Sequence, residues 1–146
     1  MKKIVLSVLA IGLLSGVCAA QSVAPLLSAM TELAQKVEEK NVLVLSVVVD
    51  PIRKGEVASH PMMLDKGFTY EFLALSNKDE DTITVQVADM KGKEITADSD
   101  AGTASASIET TTSGMVNINV SVPKMTAPAD YYGFMVLQYV VVKETK

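Results

Sequence analysis

The sequence is poor in the residues that build disulfides, metal centres and catalytic sites. Among 146 residues it has one cysteine, Cys18, one histidine, His60, and no tryptophan. A single cysteine cannot form a disulfide within the chain, so its stability must come from packing. One histidine and one cysteine are too few for a zinc site built only from these ligands. No serine stands in a nucleophile-elbow sequence, and the only histidine base on offer lies beside a proline.

The charge balance excludes another group of functions. The chain has 13 basic and 17 acidic residues, a net charge of −4 with the histidine neutral. It contains no basic cluster that could attract a phosphate backbone or an anionic membrane surface. The sequence therefore predicts no nucleic-acid partner.

Residues 1–20 have the pattern of a secretory signal peptide. Lys2 and Lys3 precede an apolar run, residues 4–14, and the small residues Cys18-Ala19-Ala20 follow it. The run is too short for a membrane span, so we expect cleavage after Ala20, no transmembrane span afterwards, and a periplasmic or secreted protein. The alternative is a lipoprotein anchored at Cys18, although Val17 and Ser15 fit a lipobox poorly. Removing the two lysines leaves 11 basic against 17 acidic residues, a net charge of −6.

Residues 21–41 predict an amphipathic helix. Its apolar residues recur at the i, i+3, i+4, i+7 spacing of one helical face. They are Val23, Leu26, Leu27, Met30, Leu33, Ala34 and Val37. Pro25 fits a first turn, where a missing N–H has no intrahelical partner. We expect the helix to pack on its own domain, and a helix that binds a partner or dimerises is the alternative.

Residues 42–146 predict a β-domain, because apolar and polar residues alternate with period 2. The alternation is clear at 68–74, 82–89 and 116–122, and Gly, Pro and Asp turns separate the segments. This spacing favours an antiparallel sandwich over βαβ units. We expect Asp50-Pro51 to end the first strand, residues 52–60 to form a loop or weak edge strand, and residues 98–103 to form a loop.

Two segments are apolar on both faces, namely residues 42–49 and 131–142. One face of each can fill a sandwich core, but the other would leave a large apolar patch in water. The helix carries a stripe that can cover such a patch. We therefore predict that these two strands are neighbours or near neighbours and that the helix lies across their outer face.

Several segments together resemble the bacterial pre-peptidase C-terminal (PPC) domain, over roughly Glu56 to Val142. They include Leu64-x-x-Gly67-x-Thr69-Tyr70-x-Phe72, Val87-Ala88-Asp89-Met90-Lys91-Gly92, Ser113-Gly114 before Val116 to Val120, and Tyr132-Gly133-Phe134-Met135-Val136. The resemblance implies a jelly-roll-like β-sandwich and a non-catalytic module for binding, secretion or stability, with calcium used by some relatives. Family members often have paired aspartates entering the central strand, whereas here only Asp81 precedes Thr82. Only the helix and one strand precede the region here, which predicts a free-standing version.

Two candidate sites arise from the residues. Asp79, Asp81, Asp98 and Asp100 lie in two predicted loops that a sandwich could bring to one end, and carboxylates are ligands that Ca²⁺ prefers. Simple solvation of these carboxylates is the alternative. Tyr131 and Tyr132 could form an aromatic patch for a sugar, since Phe68, Tyr70 and Phe72 are expected in the core. His60 is expected to be a solvated loop residue.

The sequence thus predicts an exported, non-catalytic β-sandwich module that acts in binding or as an accessory to secreted or envelope proteins. Its partner would be an extracytoplasmic protein or a polysaccharide, and no cofactor is required unless Ca²⁺ binds. The alternatives are a calcium-dependent module, a carbohydrate- or matrix-binding module, and a small hydrolase.

The cleavage site can be tested by mass. We expect the exported protein to have the intact mass of a chain that begins at Gln21, because Cys18-Ala19-Ala20 has the small residues that a signal peptidase recognises. Mass spectrometry of the exported form measures this directly. A diacylglyceryl-modified chain beginning at Cys18 would show instead that the protein is a lipoprotein.

Overall fold

The computed structural model describes residues 22–40 and 42–140. The predicted signal peptide, residues 1–20, and the last two residues of the predicted final strand, 141 and 142, lie outside this part of the chain. In the described residues one helix, α1 (Ala24–Glu38), precedes eight strands. The strands are β1 (Leu43–Arg53), β2 (Val57–Leu64), β3 (Phe68–Ser76), β4 (Thr82–Asp89), β5 (Glu94–Ala101), β6 (Thr103–Glu109), β7 (Gly114–Lys124) and β8 (Ala129–Val140). The predicted helix is confirmed, with Pro25 in its first turn.

The strands form two four-stranded antiparallel sheets. Sheet A has the order β1-β8-β3-β6, and sheet B has the order β2-β7-β4-β5. The chain changes sheet at most of its connections, so that strands adjacent in sequence mostly face each other across the core. This strand order is that of a jelly-roll β-sandwich. The predicted fold class, a mostly β antiparallel jelly-roll-like sandwich with one helix packed on it, is confirmed.

The main core lies between the sheets and follows the period-2 alternation. Tyr70 and Phe72 of β3 face Ile83 and Val85 of β4 in one buried cluster, and all four are at most 1% exposed. Phe68 is partly buried against the same cluster. The prediction that these rings fill the core is confirmed. Glycines at positive φ make the tight connections, among them Gly92 (φ 82°) in the predicted hairpin turn between β4 and β5.

A second apolar cluster lies on the outer face of sheet A, under α1. Leu26 and Met30 of the helix are buried against Met135 and Leu137 of β8 and Leu73 of β3. Since β1 pairs directly with β8 and α1 contacts both strands, the prediction that these strands are neighbours under the helix is confirmed. The molecule thus has three layers, helix, sheet A and sheet B.

Gly133 of β8 lies directly under the side chains of the helix. A Cβ atom at this position would lie 3.2 Å from Leu26 Cδ1 and 3.2 Å from Met30 Cε, and closer still to Met30 Sδ. The absence of a side chain therefore sets how deeply the helix sits on the sheet.

Three local predictions were wrong. β1 does not end at Asp50-Pro51 but continues to Arg53. It is an edge strand of sheet A, and proline is tolerated there because its missing N–H can lie on the side that faces away from the ladder. Residues 98–103 are not a loop, since β5 and β6 occupy them apart from a turn at Gly102. Their polar side chains are compatible with strand structure because β5 is an exposed edge held by its ladder to β4. The third is the solvated loop position of His60, which is half-buried in β2. The edge-strand alternative for residues 52–60 is confirmed from Val57 onward, because β2 is an edge strand of sheet B.

No helix within the described residues is long and apolar enough to cross a membrane.

The packing of the helix against Gly133 can be tested with a double-mutant cycle. We expect Gly133→Ala to lower the free energy of unfolding by about 1 to 3 kcal/mol, because its methyl group overpacks the contact with Met30. Met30→Ala removes the obstructing atoms, so Gly133→Ala should cost clearly less in that background. Urea denaturation of the four proteins measures both values. Equal costs in the two backgrounds would contradict this packing.

Candidate functional site

The four predicted calcium ligands do not come together as a ligand set. Asp79 lies exposed in the turn between β3 and β4, and Asp81 at its end is 1% exposed, with Oδ1 accepting a 2.9 Å hydrogen bond from the Thr126 N–H. Asp98 and Asp100 lie in β5, where they accept hydrogen bonds from backbone N–H groups. Among residues 22–40 and 42–140 there is no group of three or more His, Cys, Asp or Glu side chains that could hold a metal.

Asp81 instead belongs to a polar corner that ties several elements together. Asp130 at the start of β8 is 3% exposed, and its Oδ1 accepts hydrogen bonds of 2.8 Å from Asn77 Nδ2 and from the Tyr131 N–H. Asn77 also donates to the carbonyl of Ser22, just before α1. The Lys78 ammonium lies 4.0 Å from Asp130 Oδ2. These contacts join the β3–β4 turn, β8 and the helix, which indicates a structural role, one that the sequence pattern had not predicted for Asp130.

The two predicted sugar-binding tyrosines lie on opposite faces of β8. Tyr132 points between the sheets and is 1% exposed, whereas Tyr131 is partly buried in the cluster under the helix. Successive side chains of a strand point to opposite faces, so adjacent tyrosines cannot share one surface there. The structure does not bring these rings together as an aromatic patch.

His60 is a half-buried residue of the sandwich, and the prediction of a solvated loop histidine was wrong. Its ring stacks on Phe134 with centroids 4.5 Å apart, and its Nε2 lies 2.9 Å from the Tyr132 hydroxyl. Burial lowers the pKa of the imidazole below its usual 6.5, and the Asp50 carboxylate partly opposes this. Burial, with Asp50 and Glu56, raises the pKa of Tyr132 to about 12. The alternation Ala58, His60, Met62 was the sequence signal for this inward position.

A shallow depression of about 520 Å³ lies on sheet A, lined by Thr69, Glu71, Ser105, Ser107 and Tyr139. Its polar centre is a 2.6 Å hydrogen bond that the Tyr139 hydroxyl donates to Glu71 Oε2. Burial and this contact raise the pKa of Tyr139 to about 12. The phenol therefore stays protonated at neutral pH and keeps its hydrogen bond to the Glu71 carboxylate. Because these two groups bind each other, the depression offers a ligand few hydrogen-bonding groups.

The edge strands differ in how they are protected from other chains. Edges of sheets usually carry charges, proline or short strands that discourage strand addition. β2 contains Pro61, β5 contains Glu94, Asp98 and Asp100, and β6 is a short strand that ends at Glu109. Residues 43–49 of β1 contain neither a charge nor a proline.

This unprotected part of β1 also exposes large apolar side chains. Leu43 is 57% exposed, Leu45 is 42% exposed and Val47 is 52% exposed. A bulge between Val44 and Ser46 interrupts the register with β8 and leaves Leu45 without a partner residue on that strand. We call residues 43–49 the free edge. Among the described strands, only β8 pairs with it, and its apolar side chains are exposed along this edge of sheet A.

The outer face of sheet B has a different chemistry. Side chains of four strands form a hydrogen-bonded row. Its members are Ser59 of β2, Asn119 of β7, Gln86 of β4 and Glu94 of β5. Met63 and Met115, which are paired across β2 and β7, are exposed at one end of this face. Among the described residues only the outer face of sheet A has a helix packed over it.

No protein-family model matches the sequence, and no curated protein matches it. Among solved structures, the chain is similar to a de novo designed double-stranded β-helix determined by solution NMR, with 15% identity and a TM-score of 0.38. The match covers 64% of this chain and 99% of the designed one. The resemblance to the PPC domain stays a prediction.

The buried histidine makes stability depend on pH. The pKa of His60 is lowered in the folded protein, so the unfolded chain binds a proton more readily once the pH falls below about 6.5. We therefore expect the free energy of unfolding to fall between about pH 7.5 and about pH 5.5. His60→Gln should show a smaller fall in the free energy of unfolding, because it lacks the imidazole while the carboxylates of the two proteins are the same. Urea denaturation at the two pH values measures it, and identical falls would show that His60 is not the cause.

Proposed function

We propose that this chain is an exported, non-catalytic module that binds an extended segment of another exported protein by adding a strand to β1. The observation that carries the proposal is the free edge, residues 43–49, with its exposed Leu43, Leu45 and Val47. Export is supported by the signal-peptide pattern of residues 1–20.

Strand addition suits this edge because most of the affinity comes from backbone hydrogen bonds, with specificity from alternate side chains. Seven residues of strand span roughly 23 Å at about 3.3 Å each. The position of Asp50 and Pro51 directly after the segment limits pairing to this stretch. Since the free edge has no charge, it favours a partner segment that is itself uncharged and apolar, and a charged segment would lose hydration there without gaining an ion pair.

A non-catalytic role is supported by the state of His60. Its Nε2 contacts the Tyr132 hydroxyl and its ring lies against Phe134. A serine nucleophile would need a histidine base free to accept its proton, and this histidine is engaged in the sandwich. Calcium is not part of the proposal, because the Asp81, Asp98 and Asp100 carboxylates accept backbone hydrogen bonds instead of sharing a site.

The proposal can be tested with a model strand. The probe is a fluorescein-labelled peptide whose uncharged central segment, as long as the free edge, alternates valine and threonine. Lysines for solubility lie beyond this segment at both ends, and binding to the mature protein is followed by fluorescence anisotropy. Val47→Lys should weaken binding at least about tenfold, a loss of about 1.4 kcal/mol, because it places a charge on the free edge. The matched control is Val57→Lys, since Val57 is 56% exposed on the other sheet and the added charge is the same.

Two further measurements complete the test. The same peptide with a proline at its centre should not bind, because it cannot donate the ladder hydrogen bond. Equal binding of the peptide by wild type and Val47→Lys would overturn the proposal. A wild-type dimer that Val47→Lys dissolves would also overturn it, by assigning the free edge to a second copy of the chain.

A further inference from the structure

The row of polar side chains across sheet B is continuous from one edge to the other. The Ser59 hydroxyl donates to Asn119 Oδ1 at 2.7 Å, Asn119 Nδ2 donates to Gln86 Oε1 at 3.2 Å, and Gln86 Nε2 donates to Glu94 Oε2 at 2.8 Å. The four residues lie on four adjacent strands, β2, β7, β4 and β5. The row therefore crosses three strand gaps, roughly 14 Å.

Glu94 fixes the direction of the whole row. An ionised carboxylate only accepts hydrogen bonds, so Gln86 must turn its NH₂ group toward Glu94 and its carbonyl oxygen toward Asn119. Asn119 is oriented in the same sense, and Ser59 must then act as donor. Each amide keeps a second N–H and a second lone pair for another molecule. The face thus offers donors and acceptors in a set order before any ligand arrives, which lowers the entropic cost of binding.

The chemistry of this face suits a neutral ligand. Apart from Lys124 at the end of β7, the outward side chains of β2 and β7 are uncharged. These uncharged side chains are Val57, Ser59, Pro61 and Met63 of β2, and Met115, Asn117, Asn119 and Ser121 of β7. An anionic polymer would be repelled by the net negative chain, and in the row itself a cationic one would meet a single carboxylate, Glu94, which already accepts a hydrogen bond from Gln86.

The ligand must also match both kinds of group on the face. Sugar hydroxyls donate and accept at once, as the row requires. Sugar rings also have apolar C–H faces, for which Val57 (56% exposed) provides a contact next to the row. Met63 (57%) and Met115 (41%) provide further contacts about 13 Å along the face, at its end. A protein partner is disfavoured because the centre of this face is polar, whereas protein interfaces are most apolar at their centre.

We propose that the outer face of sheet B is a binding face for a neutral polysaccharide, with Ser59, Asn119 and Gln86 as its hydrogen-bonding residues. This face lies on the other sheet from the free edge, so the two sites are independent.

The test uses mature wild-type protein with insoluble cellulose and insoluble chitin, and measures the protein depleted from solution. The wild type should be depleted by at least one of the two polymers. Asn119→Asp keeps the size of the side chain but can no longer donate to Gln86, and it adds a charge to the row. This variant should bind at least tenfold more weakly, and Gln86→Ala should show a similar loss. The matched control is Ser107→Ala on β6, exposed on sheet A, which should bind as the wild type does.

Circular dichroism and thermal melts identify a variant that fails to fold, and the remaining row variant then decides the result. Wild-type binding to neither polymer would overturn the proposal. Retained binding by a folded row variant would also overturn it, as would binding only to a charged polymer such as chitosan or carboxymethylcellulose. Val47→Lys should deplete like the wild type, so a loss of strand binding and a loss of polymer binding are separable.

Discussion

Burial of β8 on both of its faces is the constraint on which the rest of the structure depends. Its inward side chains, such as Phe134 and Val136, fill the space between the sheets, while Met135 and Leu137 point out of the sandwich and are still at most 1% exposed. A strand of this kind needs a layer on each side. Sheet B provides one layer and α1 provides the other, and the lack of a side chain at Gly133 lets the helix approach closely. The N-terminal helix is therefore part of the domain core.

Placing the helix on sheet A determines which surfaces remain available for binding. Among the described elements, none covers the outer face of sheet B, and β1 pairs with a strand on one side only, as an edge of sheet A. These surfaces differ in chemistry, since the free edge is apolar while the centre of sheet B has ordered amides and a hydroxyl. A partner strand and a neutral polysaccharide would use different sheets of one domain. Binding of one would not block the other.

The buried polar groups serve the fold more than chemistry. His60 Nε2 and the Tyr132 hydroxyl share a hydrogen bond between the sheets. Asp81 and Asp130 accept backbone hydrogen bonds from Thr126 and Tyr131 at chain connections, where peptide N–H groups have no ladder partner. Buried polar atoms without such partners would cost free energy. Of the four predicted metal ligands, Asp81 is thus engaged at a chain connection, away from Asp98 and Asp100 in β5.

Much of the architecture follows from local patterns in the sequence. The helix, the alternating strands around Tyr70, Ile83 and Ile118, and the glycine turn at Gly92 depend on side-chain periods and backbone freedom, which neighbouring residues specify. Even the cover of β1 and β8 by the helix could be predicted, since two-sided apolar strands require it. These properties concern what each segment must bury and do not depend on its partners.

The pairing of distant segments was decided only in the tertiary structure. The second half of β5, from Asp98, has the composition of a polar loop, because its strand conformation comes from its ladder with β4 and not from burial of its own side chains. His60 is half-buried because β2 lies opposite β8, whose Tyr132 and Phe134 contact its ring. The row from Ser59 to Asn119 joins residues 60 positions apart. Such contacts depend on strand order and register, which only the packing of the whole chain selects, so the candidate binding surfaces could not be predicted from the residues that form them.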